Sequence, residues 1–427
     1  MAILRGGKPL GEAVSSVGEK LGVPAGEMPF VRNLVAGVLK NLRLLDYIIL
    51  RLVKSGKYPS DIIAAALRVG GYQIIDGVIP DYAAVDTTVD AVKSFSVHPK
   101  EVALVNAVLR NFARRWRDIK LPADRQEYLS VKYSHPRWLV RMFLKQFGDE
   151  AEKLLEANNQ VPPRTFRVNA ARVPPRNLHN WLKDSGFEFE PGGFFEEYFS
   201  LKSRVSPAEF PPMNMGLVSV QDEAFAVPVY YLEPSPGEMI LEVGAAPGGK
   251  TGHIAEMLGG KTRHFFALDI SPSRCGVIVE NFSRLKIFPP GIVAADFLRA
   301  PFRRRQFDKI LIDAPCSSLG VIRRHPEIRW HRSPQDVKRL ARLQKRLVAA
   351  AVPLLKKGGI LVFTTCTLAD EENLGVLRFA KRSSELVQLP PPDTIPPELI
   401  DVNTGAVLTL PHRHNLDGSF TVAFMRK

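Results

Sequence analysis

The chain has only three cysteines in 427 residues, Cys275, Cys316 and Cys366. Their number is odd, their spacing is wide, and no C-x-x-C occurs. A disulfide framework, a structural zinc site and an iron–sulfur cluster are therefore excluded as expectations, and no metal is expected. No apolar run reaches the length of a membrane span, and the N-terminus lacks the apolar core of a signal peptide. A reducing, cytoplasmic setting without membrane contact follows. Acidic residues are the scarcer charge: 44 Asp and Glu stand against 58 Lys and Arg, a formal net charge of +14. The sequence pI is about 9.7. Such an excess suits a phosphate-backbone partner, although charge alone fits a basic protein without one equally well. The length bounds the chain to two or three domains.

Among what is present, Met239–Thr251 stands out, reading MILEVGAAPGGKT. An apolar run ends in a loop of small residues and then a helix start, which reads as a nucleotide-type pocket. As a bare pattern, Gly244-x-x-x-x-Gly249-Lys250-Thr251 also satisfies the phosphate loop of an NTPase, and Lys309–Asp313 resembles its partner strand. Against that reading, Pro247 removes an amide donor from the loop. Asp269 has no role in a phosphate loop, and such an enzyme needs no thiols at its strand ends.

Residues 1 to about 25 are small and polar, and order is expected to be poor at the very start. From Phe30 the apolar residues recur at helical spacing, so residues 1–122 read as an all-helical domain. Its last helix carries Arg110, Arg114, Arg115 and Arg117, read as a solvated helix end or an RNA-backbone contact. Residues 123–220 read as linker helices over Gln126–Ala157 followed by a small α+β module. Strands are expected at Thr165–Val168 and Phe187–Glu190, with a helix at Arg176–Ser185. Phe199–Leu201 and Leu217–Val220 read as the lead into the next domain. Over 221–427, short apolar runs at Met239–Val243, His264–Leu268, Ile292–Ala294, Lys309–Ile312 and Ile360–Thr364 alternate with helices. That pattern predicts a parallel sheet covered by helices on both faces, a Rossmann-like α/β domain. Ligands of such sheets gather outside the carboxyl ends of the strands. Three acids and two cysteines fall there: Asp269, Asp296, Asp313, Cys316 and Cys366. Cys275, on a helix face, reads as a core residue.

Asp269 suits a ribose diol or a helix cap. Asp296 suits an adenine amine or a turn cap. Two thiols beside a nucleotide-like cofactor suggest chemistry on a pyrimidine. Carbon 5 is a poor nucleophile, but a thiolate adding at carbon 6 pushes electron density onto it, so that it can attack an electrophilic methyl. Asp313 could hydrogen-bond the ring nitrogen or exocyclic amine. Lys250 is a candidate cation for lowering the thiol pKa.

At these residues the sequence resembles the RNA cytosine-C5 methyltransferases of the Nol/Nop/Sun class. Gly244-Ala245-Ala246-Pro247-Gly248-Gly249-Lys250 resembles their cofactor loop. Asp313–Trp330, reading DAPCSSLGVIRRHPEIRW, matches their first cysteine motif, and Thr365–Asn373, TCTLADEEN, the second. The resemblance implies S-adenosyl-L-methionine as cofactor, Cys366 as nucleophile and Cys316 as the group assisting release. It places Gly244–Lys250, Asp269, Asp296 and Asp313 around the cofactor. Leu67–Ile75 and Leu104–Arg110 resemble a NusB-type helical domain, Arg164–Asn169 the small RNA-side module, and Asp417–Phe420 the closing strand. The implied fold is multidomain: an all-α NusB-like domain, a small α+β module and a class I methyltransferase domain. The implied substrate is a cytosine of 16S rRNA, by resemblance cytosine 967, in single-stranded or loop RNA because the base must leave its stack. DNA is not expected as a partner, and the chain is expected to be a monomer. The other reading is a NusB-like RNA-binding or antitermination factor with a degenerate methyltransferase half. Arg303–Arg305, Arg323, Arg324, Arg329 and Arg332 are expected RNA contacts, and Trp330 a core residue rather than a stacking platform. Where the family often has Cys or Ala, Gly and Phe, this chain has Gly244, Ser318 and Ser419.

Overall fold

The computed structural model describes every residue except Met1, Ala2, Arg204, Ala208 and Pro301. The chain forms two compact units. One comprises the chain up to Gln160 together with Ile322–Ser333, and the other comprises Val161–Val321 with Pro334–Lys427.

The first unit is helical. Its main helices are Leu10–Lys20, Met28–Leu52, Asp61–Asp76, Asp81–Lys93 and Pro99–Arg115, followed by Arg125–Lys132, Arg137–Phe147 and Ala151–Ala157. Local chemistry marks the ends. Ser60 caps Asp61–Asp76 by accepting from the Ile63 amide, and Gly77 closes that helix in the left-handed region. His98 and Glu101 form a reciprocal capping pair at the start of Pro99–Arg115. The helix packs closely at Gly70, where a Cβ would lie 2.7 Å from Leu109 Cδ1 and 2.9 Å from Thr88 Oγ1. The poor order expected at the very start falls on residues of which Met1 and Ala2 lie outside the described ones, while helix Leu10–Lys20 begins ahead of the helical pattern read from Phe30. Leu10, Ala13 and Val14 are buried there, clustered with Leu39. The amphipathic stripe is one short helix long, which hid it among small and polar neighbours.

In the second unit, β1 (Thr165–Val168), β2 (Phe189–Pro191), β3 (Tyr198–Leu201) and β4 (Val218–Val220) make an antiparallel sheet in the order β2-β3-β1-β4. The segments read as a lead into the next domain are thus strands of this sheet, β4 pairing directly with β1. The larger sheet follows: β5 (Ile240–Val243), β6 (Phe265–Asp269), β7 (Gly291–Ala294), β8 (Phe307–Asp313), β9 (Leu355–Thr365), β10 (Leu386–Leu389), β11 (Ile400–Asp401), β12 (Ala406–Thr409) and β13 (Ser419–Arg426). Its order is β11-β12-β13-β9-β8-β5-β6-β7, with β10 also paired to β13. The five strands from β5 to β9 are parallel, and β13 closes antiparallel against β9.

Alternation along the strands explains the layers. Leu241, Val243, Ile310, Ile312, Leu361 and Phe363 face one core, with Leu347, Val348 and Val376 from the helices Pro334–Ala351 and Leu374–Lys381. Ile240, Leu311 and Val362 face the other, with Val227, Leu232 and Ile254. A sheet buried on both faces needs such continuous apolar strands. The order reverses beside β5, so β5 and β8 flank a switch point, where ligands of such sheets bind. Among the described residues, no helix is long and apolar enough to cross a membrane.

Candidate active site

After β5 the chain turns at Gly244, whose φ of +81° lies in the left-handed region. A Cβ there would meet the Asp313 carbonyl at 2.3 Å, so the ends of β5 and β8 touch through this glycine. The loop amides are then used inside the protein. Gly244 and Ala245 both donate to the Leu268 carbonyl, at 2.8 and 3.0 Å, and Gly248 donates to Ala245 at 2.8 Å. Ala246 donates to Asp269 Oδ2 at 3.2 Å. Pro247 has no N–H. The four amides of residues 244–248 are therefore not free to cradle phosphates, which removes the physical basis of the NTPase reading and of a ligand contact through them.

Lys250 leaves the first turn of helix Gly249–Met257, and its Nζ lies 2.6 Å from Asp313 Oδ2. Burial works against its charge, but the adjacent Asp313 carboxylate outweighs it and holds the ammonium above its ordinary range. The side chains are mostly covered, at 11% and 29% exposure. The ammonium also lies 4.9 Å from the centre of the Phe225 ring.

Asp313 ends β8 and Thr365 ends β9; these strands are parallel neighbours with Asp313 in register with Thr364. Cys316 and Cys366, a few residues past those ends, therefore meet. Their sulfurs are 3.2 Å apart, both are free thiols, and both are half-buried. The Ser318 Oγ lies 3.5 Å from the Cys366 sulfur. The Cys316 thiol is the largest influence lowering the Cys366 pKa. Burial opposes it, while Ser318 and, more weakly, Lys250 also lower it. Cys316 is pushed well up, chiefly by Cys366 and by burial. The pair is thus polarised: one sulfur is the better thiolate, and the other keeps its proton. Lys250 is principally the partner of Asp313, a smaller influence on the thiol than the sequence suggested.

Hydrogen bonds that sequence reasoning did not anticipate hold the two cysteine loops together. Buried Glu372 accepts from the Ser317 amide at 2.9 Å and from Gln344 Nε2 at 2.8 Å. Gln344 also donates to the Pro315 carbonyl at 3.0 Å. Ser317 Oγ meets Thr367 Oγ1 at 2.7 Å, and the Gly320 amide donates to the Cys366 carbonyl at 2.9 Å. Glu372 stood in a motif already singled out; Gln344 sits mid-helix with no local signal.

Asp269 is buried at the end of β6, accepting from the Ala246 and Ser271 amides and pairing with Arg274. Ser271, not Asp269, caps helix Pro272–Leu285. Asp296 lies past β7, where its Oδ1 accepts from the Leu298 amide as a turn cap. Lys250, Asp313, Cys316 and Cys366 converge; Asp269 joins them through the glycine loop, and Asp296 stands further along the strand ends. Cys275 is buried, as a core residue should be. Glu242, directly before Val243 on β5, was missed altogether: it is fully buried, and burial holds its carboxyl up to about 8.

The basic residues divide. Arg303, Arg304 and Arg305 are exposed, as are Arg110, Arg114, Arg115 and Arg117. Arg323 and Arg329 are buried, which corrects their reading as RNA contacts. Arg329 donates to the Ser134 and Asn158 carbonyls and to Asn159 Oδ1 within the helical unit. Trp330 packs with Leu39 and donates to its carbonyl at 2.9 Å, in the core as expected.

Carboxylates at three successive strand ends suit a ligand with a diol, an aromatic amine and a fixed positive charge. A polarised thiol pair beside them suits covalent attack on an electrophilic ring carbon. Among the described residues, no cluster of three or more metal-ligating side chains occurs.

Comparison with known proteins gives a consistent result. A family profile described as 16S rRNA methyltransferase RsmB/F matches residues 229–425. NusB family and RsmF/B-like ferredoxin-like profiles match residues 8–114 and 135–207. The ribosomal RNA small subunit methyltransferase B of Yersinia enterocolitica is 33% identical, over 98% of this chain and 95% of its own length. That of Pectobacterium carotovorum is 35% identical, over 91% and 88%. The crystal structure of PH0851 superposes with a TM-score of 0.81 at 27% identity, covering 96% of this chain and 93% of that one.

Proposed function

This chain belongs to the RsmB/F family of 16S rRNA methyltransferases, which use S-adenosylmethionine, and on that premise we propose that it methylates carbon 5 of a cytosine in 16S rRNA through a Cys366–carbon 6 adduct. The observation that carries this reading is the pair of sulfurs 3.2 Å apart at the ends of adjacent parallel strands. In it, Asp269, Asp296, Asp313 and the loop Gly244–Lys250 hold the cofactor. Bound S-adenosylmethionine supplies the electrophilic methyl group.

The work of this chain is to make and break the bond at carbon 6. Cys366 adds there as thiolate, with the Lys250 ammonium to meet the negative charge that develops on the ring and Asp313 to accept from the exocyclic amine. Carbon 5 takes the methyl and must then lose its proton. Cys316 is the nearby group for that step, but the ionised Cys366 and its hydrogen bond keep it protonated at rest. Once Cys366 is tied up as a thioether, that negative neighbour is gone, and the half-buried Cys316 gives its proton to solvent and stands as thiolate. It can then accept the carbon 5 proton as the Cys366–carbon 6 bond breaks, which returns the free thiolate. The two thiols need no fixed assignment as acid and base, because forming the adduct switches the second one on.

We further assign residues 1–122 and 123–220 to the RNA side and 221–427 to the methyl-transfer side. The substrate is single-stranded or loop RNA, by resemblance at cytosine 967, and the enzyme works as a cytoplasmic monomer without DNA. Mapping 5-methylcytosine in rRNA made with and without the protein tests site and activity together. With labelled cofactor, Cys316→Ala should accumulate a protein–RNA adduct on denaturing gels, and Cys366→Ala should form none. An adduct in Cys366→Ala would show the roles reversed. No transfer to any rRNA by the intact protein would favour an RNA-binding factor instead.

A further inference from the structure

Arg167 lies on β1 in the small sheet, yet its guanidinium is fully buried, with 1% of its surface exposed. All three of its nitrogens are used. Nε and Nη2 donate to the two oxygens of Glu256, at 3.1 and 2.7 Å, and Nη1 donates to the Gly249 carbonyl at 3.0 Å. Nη1 also meets Gln221 Oε1, which in turn accepts from the Tyr198 hydroxyl at 3.1 Å. Gly249 and Glu256 belong to one helix, Gly249–Met257, whose first residues end the cofactor loop Gly244–Lys250. One side chain from the small sheet thus grips this helix near both ends. The neighbouring Gly252 fits the grip, because a Cβ there would stand 3.5 Å from Nη2.

A buried ion pair is weak evidence for stability. Two charges removed from water recover little more than their desolvation cost, and apolar replacements of similar volume are often no less stable. A device that contributes little stability is better explained by the position it enforces. A fork of donors with fixed geometry is suited to that task.

We propose that Arg167 is a positioning residue: by holding the Gly249 carbonyl, it sets where the cofactor loop and Lys250 stand relative to Asp313, and so ties cofactor affinity to the small sheet. Through β1, whatever engages the small sheet has a direct mechanical line to the cofactor loop. The inference rests on the reading that the loop Gly244–Lys250 holds S-adenosylmethionine.

The test separates position from stability. Arg167→Met strands the Glu256 carboxylate in the interior and should lower both thermal stability and cofactor affinity. The double variant Arg167→Met/Glu256→Leu removes both charges. It should regain most of the melting temperature, yet its Kd for S-adenosylmethionine, measured by calorimetry on the full chain, should stay about tenfold above wild type because the Gly249 bond is still missing. Its KM for rRNA should change less than its KM for cofactor. Recovery of cofactor affinity along with the melting temperature would overturn the proposal, as would a double variant without a cooperative melt. Asp269→Ala serves as the check on the premise. If it leaves the Kd unchanged, the loop is not the cofactor site; if it raises the Kd and the double variant does not, the positioning role alone fails.

Discussion

Replacing Lys250 with methionine tests the electrostatics of the site most directly. The ammonium sits 2.6 Å from Asp313 Oδ2 in a mostly covered position. Removing one partner of a fully buried pair costs about 3–5 kcal/mol. Asp313 keeps 29% of its side chain exposed, so water returns part of that, and we take about 2–3 kcal/mol as the loss at the site. If the pair serves the reaction, this appears in the rate. At about 1.4 kcal/mol per decade, kcat should fall roughly 30- to 140-fold. The pH dependence gives a second, independent reading. Cys366 reacts as thiolate, so the rate rises with pH as this thiol ionises. Lys250 lowers its pKa and Asp313 raises it. Deleting the lysine removes a lowering influence and leaves the raising one unopposed, so the ascending limb should move to higher pH. In Lys250→Met/Asp313→Asn both influences are gone, and the limb should return toward its wild-type position while kcat stays low. The assay is single-turnover transfer of labelled methyl to rRNA at saturating cofactor between pH 6 and 10. A Lys250→Met protein with kcat within threefold of wild type and an unmoved limb would refute the reasoning.

Two further outcomes concern groups beneath the site. Burial holds the Glu242 carboxyl up to about 8, against a smaller lowering by the Thr251 hydroxyl beside it. A pKa raised on folding leaves stability intact below the unfolded value near 4.5, and that stability is lost as pH rises toward about 8. Glu242→Gln should therefore raise the melting temperature by several degrees at pH 8 and hardly at pH 5, equivalent to about 2–4 kcal/mol at the higher pH; equal shifts at both pH values would contradict the burial argument. Gly320→Ala would place a Cβ 2.0 Å from the Gly418 carbonyl, where both neighbours are backbone. Overpacking of about 1–3 kcal/mol should lower the melting temperature and push the Cys316 loop off its partner, so methyl transfer should fall at least tenfold; an alanine variant with wild-type melting and rate would show that this close approach is dispensable.

Much of the architecture was readable from local pattern. Short apolar runs alternating with amphipathic helices imply a parallel sheet, because a strand buried on both faces must be apolar throughout. The run at Lys309–Ile312 is that signal, and β8 carries it with buried neighbours on either face. The carboxyl ends of those runs carry Asp313, Cys316 and Cys366, which the order of residues alone brings to one edge of the sheet. What pattern could not resolve was how a segment of mixed character is used. Arg323 and Arg329 read as RNA contacts because a basic run is normally solvated, yet Arg329 is enclosed by the Ser134 and Asn158 carbonyls. The helical pattern reads only from Phe30 because the single short helix Leu10–Lys20 has too few turns to establish a period.

Residue order along the chain determined which groups stand at the strand ends, since a strand and the turn after it are local events governed by neighbouring side chains. Only the tertiary structure decided what those groups do to one another. The 3.2 Å between the two sulfurs, the capture of Lys250 by Asp313 and the bond from Arg167 to Gly249 each join residues 50 to 82 positions apart. Interactions over such separations exist only once the sheet is assembled in register, and their strength depends on the exclusion of water that assembly brings.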